Sequence, residues 1–320
     1  MDIKTYTQEI EKAIKALPLP TEGPLKGLYA PIAYGLDAGG KRLRPVLTLV
    51  AAEALGAPAK EAMPAALAVE MFHNFTLLHD DVMDNSPTRR GKPSVMAAWD
   101  VNTAILSGDT LYGLCYNQLL RLRPEVLARA LARFQLTAIG VFEGQQYDVD
   151  FETRDDVTLP EYIEMIRLKT SVLLGGAAAL GAIVAGASLE QEEALYRYAE
   201  CLGLAFQIQD DLLDVYGDAA TFGKPIGGDI LNAKKTWLLL TALAHPEGFR
   251  VAEAMALPPS QEKINIVRNL YDRLGIKALA EAAIDDYTSQ AVEALASLNL
   301  PAPYADLLSS LALSLAHRSK

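Results

Sequence analysis

The sequence predicts an all-α protein, and three observations carry that expectation. Apolar side chains recur at helical spacing through most of the 320 residues, as in the series Ala65, Val69, Phe72, Phe75 and Thr76. Strict apolar–polar alternation, the mark of a half-buried strand, is nearly absent. Glycine and proline gather in short clusters between the periodic segments: PLPTEGP at 18–24, NSPTRRGKP at 85–93 and YGDAATFGKPIGGD at 216–229. No composition shift marks a linker and no tract is of low complexity, so the reading is a single domain over residues 1–320.

Taken in chain order, the opening MDIKTYTQEIEKAIK mixes charges and lacks the apolar core of a secretory signal. A Gly-Gly turn follows in AGGKRLRPVL, residues 38–47, where three basic residues lead into an apolar helix. The next periodic run ends in LLHDDVMDNSPTRRGKPS. SVLLGGAAALGAIVAGA, residues 171–187, is uncharged but shorter than the roughly 20 residues that span a bilayer. Its Gly175, Gly176 and alanines suit close helix–helix contact, so a buried central helix and no membrane span are expected. FQIQDDLLDVYGD, residues 206–218, forms the last motif-bearing helix; residues 241–320 carry no motif.

Composition narrows the function. The chain is 51% hydrophobic and 22% charged, with a net charge of −11. That acidic balance excludes nonspecific nucleic-acid binding, which needs a basic face. Cys115 and Cys201 sit in apolar helical surroundings and read as reduced, buried thiols of a cytoplasmic protein.

Two acidic motifs stand out. Asp80 and Asp84 are four apart with Asp81 between, and Asp210, Asp211 and Asp214 repeat the pattern. Carboxylates at i and i+4 share a helix face and repel, so something outside the helix must compensate. Gln207, Asp210, Asp211 and Asp214 occupy the spacing where a packed helix keeps its apolar stripe, which points to a face lining a wet cavity. Hard carboxylate oxygens suit Mg²⁺, which keeps waters and completes its shell with phosphate oxygens. Lys41, Arg42 and Arg44, then Arg89 and Arg90, add the cations that a polyanion requires. Arg42, between two functional candidates, reads as a solvated neighbour. His73, seven residues before Asp80, faces the same side of its helix. His79 reads either as support for the neighbouring site residues or as packing.

The ordered series GGKRLRP, HNFTLLHDDVMDNSPTRRG, Gly144–Gln145, Lys169–Thr170, FQIQDDLLD and GKPIGGD resembles the trans-isoprenyl diphosphate synthases, also called polyprenyl synthetases. The resemblance runs from about residue 28 to 240. It implies a helical bundle around a deep central cavity, usually a homodimer. The implied reaction adds isopentenyl diphosphate head-to-tail to an allylic diphosphate, with Mg²⁺ at three ions per site. By motif, Asp80 and Asp84 would ligate the metal with Asp81 supporting, and Asp210 would ligate it with Asp211 and Asp214 acting directly or through water. Arg89, Lys169, Thr170, Gln207 and Lys224 would hold the allylic substrate. Lys41, Arg44, His73 and Arg90 would bind isopentenyl diphosphate, and Lys234 would lie near the metal-bound diphosphate.

The growing chain is expected to run along the first aspartate helix toward its N-terminus. Phe75 lies about 7.5 Å along the axis from Asp80, Phe72 about one turn further, and Thr76 beside them. A phenyl ring at Phe75 makes a pocket floor, which fits a fifteen- or twenty-carbon product. Two other readings compete: a class I terpene cyclase and a noncatalytic subunit of a partner synthase. The intact second aspartate cluster and the Lys41–Arg44 site argue against both.

Overall fold

The computed structural model describes residues 2–217 and 226–316. Contacts divide the chain into two compact units: Met1–Ala138 with Gly176–Leu195 and Leu300–Tyr304, and Ile139–Gly175 with Tyr196–Asn299 and Ala305–Lys320.

The first unit contains α1 (Ile3–Lys15), α2 (Lys26–Leu36), α3 (Leu43–Ala54), α4 (Ala59–Met83), α5 (Val95–Ala98) and α6 (Val101–Leu119). It also takes the first half of α7 (Pro124–Thr153), the last part of α9 (Val172–Val184) and the start of α10 (Leu189–Tyr216). Helix α4 buries residues around most of its circumference, including Ala62, Ala66, Val69, Met71, Phe72 and Phe75. Such a helix must be surrounded, and α4 packs against both α3 and α6. The small residues of α9 act as the sequence suggests. A Cβ at Gly181 would collide with the carbonyl oxygen of Thr48, and the Thr48 hydroxyl donates to Ala177 O at 2.9 Å.

One departure from an all-helical chain is informative. Strands β1 (Thr88–Arg89) and β2 (Lys92–Pro93) form a two-residue hairpin with Arg89 opposite Lys92. Arg90 (φ 53°) and Gly91 (φ 75°) make the turn. Positive φ at both central residues is the geometry that tight hairpins favour.

The second unit takes α8 (Leu159–Ile166), a π-helical turn (Arg167–Ser171), the remainder of α7, α9 and α10, and the C-terminal helices. Those are α11 (Gly228–Leu231), α12 (Trp237–Leu243), α13 (Gly248–Met255), α14 (Gln261–Arg273), α15 (Ile276–Ala296) and α16 (Ala302–Ala316). A capping box starts α8: Thr158 and Glu161 satisfy each other's backbone N–H groups. The motif-free C-terminus supplies core, since Val251, Val267, Tyr271, Ile276 and Ile284 pack with Tyr162, Ile208 and Leu212.

By length and composition, one helical run, Leu159–Val184, is apolar enough to cross a membrane. It is longer than the uncharged stretch suggested, because helix continues through Arg167 and Lys169. Its most apolar window is 83% buried inside the protein, which marks a core helix. Both cysteines are buried free thiols.

Candidate active site

In the first unit the acidic motif falls where α4 ends. Asp84 caps the helix, its N–H donating to Asp80 O at 2.8 Å. Asp84 is exposed, Asp80 is half-buried, and Asp81 is buried. Asp81 Oδ1 accepts from Arg89 Nε at 2.9 Å and from Nη2 at 2.6 Å. The hairpin separates the two adjacent arginines. Arg89 turns toward Asp81, whereas Arg90 donates to Gly39 O, and its guanidinium lies 2.9 Å from where a Cβ on Gly40 would stand. With φ at +133°, Gly40 is a position that only glycine fills at low cost.

The basic run at the start of α3 splits three ways. Lys41 is exposed. Arg42, expected to be solvated, is instead 3% exposed. It donates to Glu70 at 2.5 Å, Glu11 at 2.7 Å and Leu36 O at 2.6 Å, tying α3 to α4, α1 and α2. Its φ of 48° swings the guanidinium inward, which no sequence pattern announces.

Arg44 Nη1 lies 3.2 Å from His73 Nε2. Burial pushes Arg44 down to about 10. Burial, then the charge of Arg44 and of Arg90, holds His73 well below the usual histidine value. A neutral imidazole accepts the arginine's hydrogen bond. Arg44 Nε is enclosed and has no hydrogen-bond partner among the described residues. Leaving such a charged donor buried and unsatisfied costs more than about 1–3 kcal/mol, a deficit that an anion would remove.

Phe75 and Phe72 are buried on α4 with ring centroids 5.5 Å apart. Thr76 turns its hydroxyl onto His73 O at 2.8 Å. His79 packs its ring 4.7 Å from Phe75 and against Gly108, where a Cβ would strike it.

In the second unit the acidic motif lies inside α10, which continues to Tyr216. Asp210 is half-buried, while Asp211 and Asp214 are 5% and 8% exposed. Asp211 Oδ2 accepts from the Tyr162 hydroxyl at 2.5 Å and from the Trp237 backbone N–H at 2.9 Å. Burial pushes the Asp211 carboxyl up to about 7, against the pull of those two donors. Asp214 Oδ2 accepts from Asp229 N–H at 3.0 Å. Lys234 is exposed, and its charge reaches Asp211.

Lys169 and Thr170 occupy the π turn, a distortion often found at functional sites. Lys169 pairs with Asp148, and the Thr170 hydroxyl donates to Gln207 Oε1 at 3.3 Å. Gly144 permits this, because a Cβ there would overlap the backbone nitrogen of Lys169. Gly203 likewise leaves Ser171 Cα 2.7 Å from its missing Cβ. Lys224 lies outside the described residues.

The structure thus adds Asp148, Tyr162, Asp229 and the Trp237 amide to the residues expected from sequence. Asp148 carries a local signal, one helical turn beyond Gly144 on α7. Tyr162 and Trp237 carry none, being far from Asp211 in sequence. Among the described residues, no group of three His, Cys, Asp or Glu side chains is gathered as a metal cage. Asp80, Asp84 and Asp210 are hard oxygen donors in small number, which suits an ion that retains water and takes phosphate.

A sequence model of the polyprenyl synthetase family matches residues 25–274. The chain belongs to the polyprenyl synthetase family. It is 43% identical over 243 residues to the geranylgeranyl diphosphate synthase of Methanosarcina mazei, covering 75% of this chain and 74% of that protein. A crystal structure of a geranylgeranyl pyrophosphate synthase superposes with a TM-score of 0.95 at 43% identity, over the whole of both chains. The Corynebacterium glutamicum geranylgeranyl pyrophosphate synthase, complexed with isoprenyl diphosphate and magnesium, matches at TM-score 0.85 and 27% identity, over 99% of this chain and 97% of that one. The all-α polyprenyl synthetase fold is therefore shared along the full chain.

Proposed function

We propose that this polyprenyl synthetase condenses isopentenyl diphosphate with an allylic diphosphate, head-to-tail, to give a trans-prenyl diphosphate of fifteen or twenty carbons. Family membership and the names of the relatives support the reaction class. The carrying observation is the enclosed Arg44 Nε beside neutral His73, two turns along α4 from the Asp80 carboxylate. Helices α3 and α4 together thereby offer a cationic seat for one phosphorylated substrate, and α4 an acidic end for a metal-bound second.

Asp80, Asp84 and Asp210 would hold Mg²⁺. The metal reading of Asp81, Asp211 and Asp214 meets carboxylates already engaged by Arg89, by Tyr162 and Trp237, and by Asp229, so these brace the motifs. Bound Mg²⁺ would neutralise charge developing on the departing diphosphate oxygens. Arg89, fixed in orientation by Asp81, and Lys169, held by Asp148, would grip the allylic diphosphate. Arg44, His73, Arg90 and Lys41 would hold isopentenyl diphosphate so that its double bond faces the allylic carbon. The Thr170 and Gln207 oxygens would lie beside the developing carbocation. Lys224 and Lys234 would complete the diphosphate contacts. Phe75 would stop chain growth, with Phe72 behind it.

A homodimer is part of this reading. Helix α6 exposes Ile105 and Leu106, and the adjoining part of α7 exposes Leu136 at 66%, a surface that a second copy would cover. Reduced, buried cysteines favour a cytoplasmic setting. The test is incubation of the purified chain with Mg²⁺, labelled isopentenyl diphosphate and primers of five, ten and fifteen carbons. Elongated linear products are expected. Cyclic hydrocarbons without elongation, or no turnover with any primer, would overturn the assignment.

A further inference from the structure

We propose that product length is set by a closed girdle of five aromatic rings, in which Tyr112 and Tyr116, tied by Gln135, determine specificity alongside Phe75. This rests on the reading of Phe75 as the pocket floor.

The girdle lies wholly within the first unit and joins three helices. From α4, Phe72 and Phe75 stand 5.5 Å apart; Phe75 stacks on Tyr112 of α6 at 5.4 Å with an interplanar angle of 29°. Tyr112 meets Tyr116 edge-on at 5.4 Å, and Tyr116 meets Phe134 of α7 at 5.6 Å. Phe134 closes the loop onto Phe72 at 5.5 Å, and Phe72 reaches across it to Tyr112 at 5.9 Å. All six separations fall within the range of favourable aromatic pairing. The polar end is tied as well. The hydroxyls of Tyr112 and Tyr116 lie 3.0 Å apart, and both donate to Gln135 Oε1, Tyr112 at 3.5 Å and Tyr116 more closely.

This arrangement makes Phe75 one member of a wall. Removing its ring leaves Phe72, Tyr112, Tyr116 and Phe134 still connected, because the Phe72–Tyr112 contact bridges the gap. The floor then recedes by the three residues from Phe75 to Phe72, about 4.5 Å along α4. Products should lengthen by a single isoprene unit and stop again. Removing Tyr112 acts differently: the ring stacked behind Phe75 disappears and Phe75 itself can swing aside. Longer products are expected although the floor residue is intact. Cutting the hydroxyl tie, with every ring retained, should loosen the wall and broaden the product distribution.

The experiment compares the wild-type chain with Phe75→Ala, Tyr112→Ala, Tyr112→Leu, Tyr116→Phe and Gln135→Leu. Each is incubated with Mg²⁺, a ten-carbon primer and labelled isopentenyl diphosphate. Dephosphorylated products are resolved by length and normalised to total incorporation, and thermal melts report folding. Phe75→Ala should move the main product up by one isoprene unit. Tyr112→Ala should move it up by at least one, and Tyr116→Phe and Gln135→Leu should each give a mixture of the wild-type length and the next. Should Tyr112→Ala destabilise the fold, Tyr112→Leu and Tyr116→Phe carry the test. Folded Tyr112 and Tyr116 variants with the wild-type distribution would overturn the girdle while a lengthening Phe75→Ala keeps the floor. An unchanged Phe75→Ala product would remove the floor reading itself. Absence of elongation by the wild-type chain would overturn both.

Discussion

The two aspartate motifs are spelled alike, yet their middle carboxylates meet opposite surroundings. Asp81 sits at the end of α4 against the guanidinium of Arg89, a charge partner. Asp211 sits inside α10 against a phenol and a backbone amide, both neutral donors. A carboxylate buried among neutral donors rises toward neutral pH. The first motif is therefore built as an ion pair to a hairpin, and the second as a hydrogen-bonded knot within a core. Identical spacing fixes which face the outer carboxylates share; it does not fix how the inner one is anchored.

Several substitutions test that contrast. The largest effect belongs to what the motifs have in common. Asp80→Ala and Asp210→Ala should each lower kcat by about 10²–10³-fold or more, as expected when one stabiliser of transition-state charge is lost. A preserved kcat in either would remove that residue from metal binding.

Next comes the pH response of Asp211. Its folded-state carboxyl is pushed up to about 7, from an ordinary value of 3.8. Between those values the native chain binds more protons than the unfolded one, so this group's stabilising contribution is lost as pH rises from 3.8 to about 7. In metal-free protein the slope from this group should reach about 1.4 kcal/mol per pH unit. Urea unfolding of wild type and Asp211→Asn across that window should differ by this slope. Parallel profiles would show that Asp211 is not held protonated.

A smaller cost is expected from Arg89→Met, which strands Asp81 without its cation. The pair is partly exposed, so about 2 kcal/mol is expected, below the cost of breaking a fully buried pair. The allylic substrate's KM should rise in step. Tyr162→Phe should cost least, about 1 kcal/mol, because Asp211 keeps the Trp237 N–H. Were Tyr162→Phe to cost more than Arg89→Met in denaturant melts, the contrast between ion pair and knot would be reversed.

Much of the site was legible because its residues are local in sequence. The i, i+4 carboxylates, the Gly-Gly turn before Lys41 and Arg44, and the His73–Asp80 interval all follow from helix geometry. Arg42 reads as solvated from its place beside Lys41, but its backbone is left-handed, and only the positions of Glu11 and Glu70 reveal its burial. The same holds for Lys169. Its helix is plain from periodicity, but the π turn that presents it depends on the missing side chains of Gly144 and Gly203 on two other helices.

The sequence by itself determined the helical class, the two acidic faces and the basic residues beside them, because helical period and turn chemistry act within a few residues. Tertiary structure alone decided which aspartate is braced and by what, where Arg42 and Arg44 point, and which rings close around Phe75. Those outcomes depend on burial and on partners that mostly lie tens of residues away, and no local rule encodes which distant donor will reach a given carboxylate.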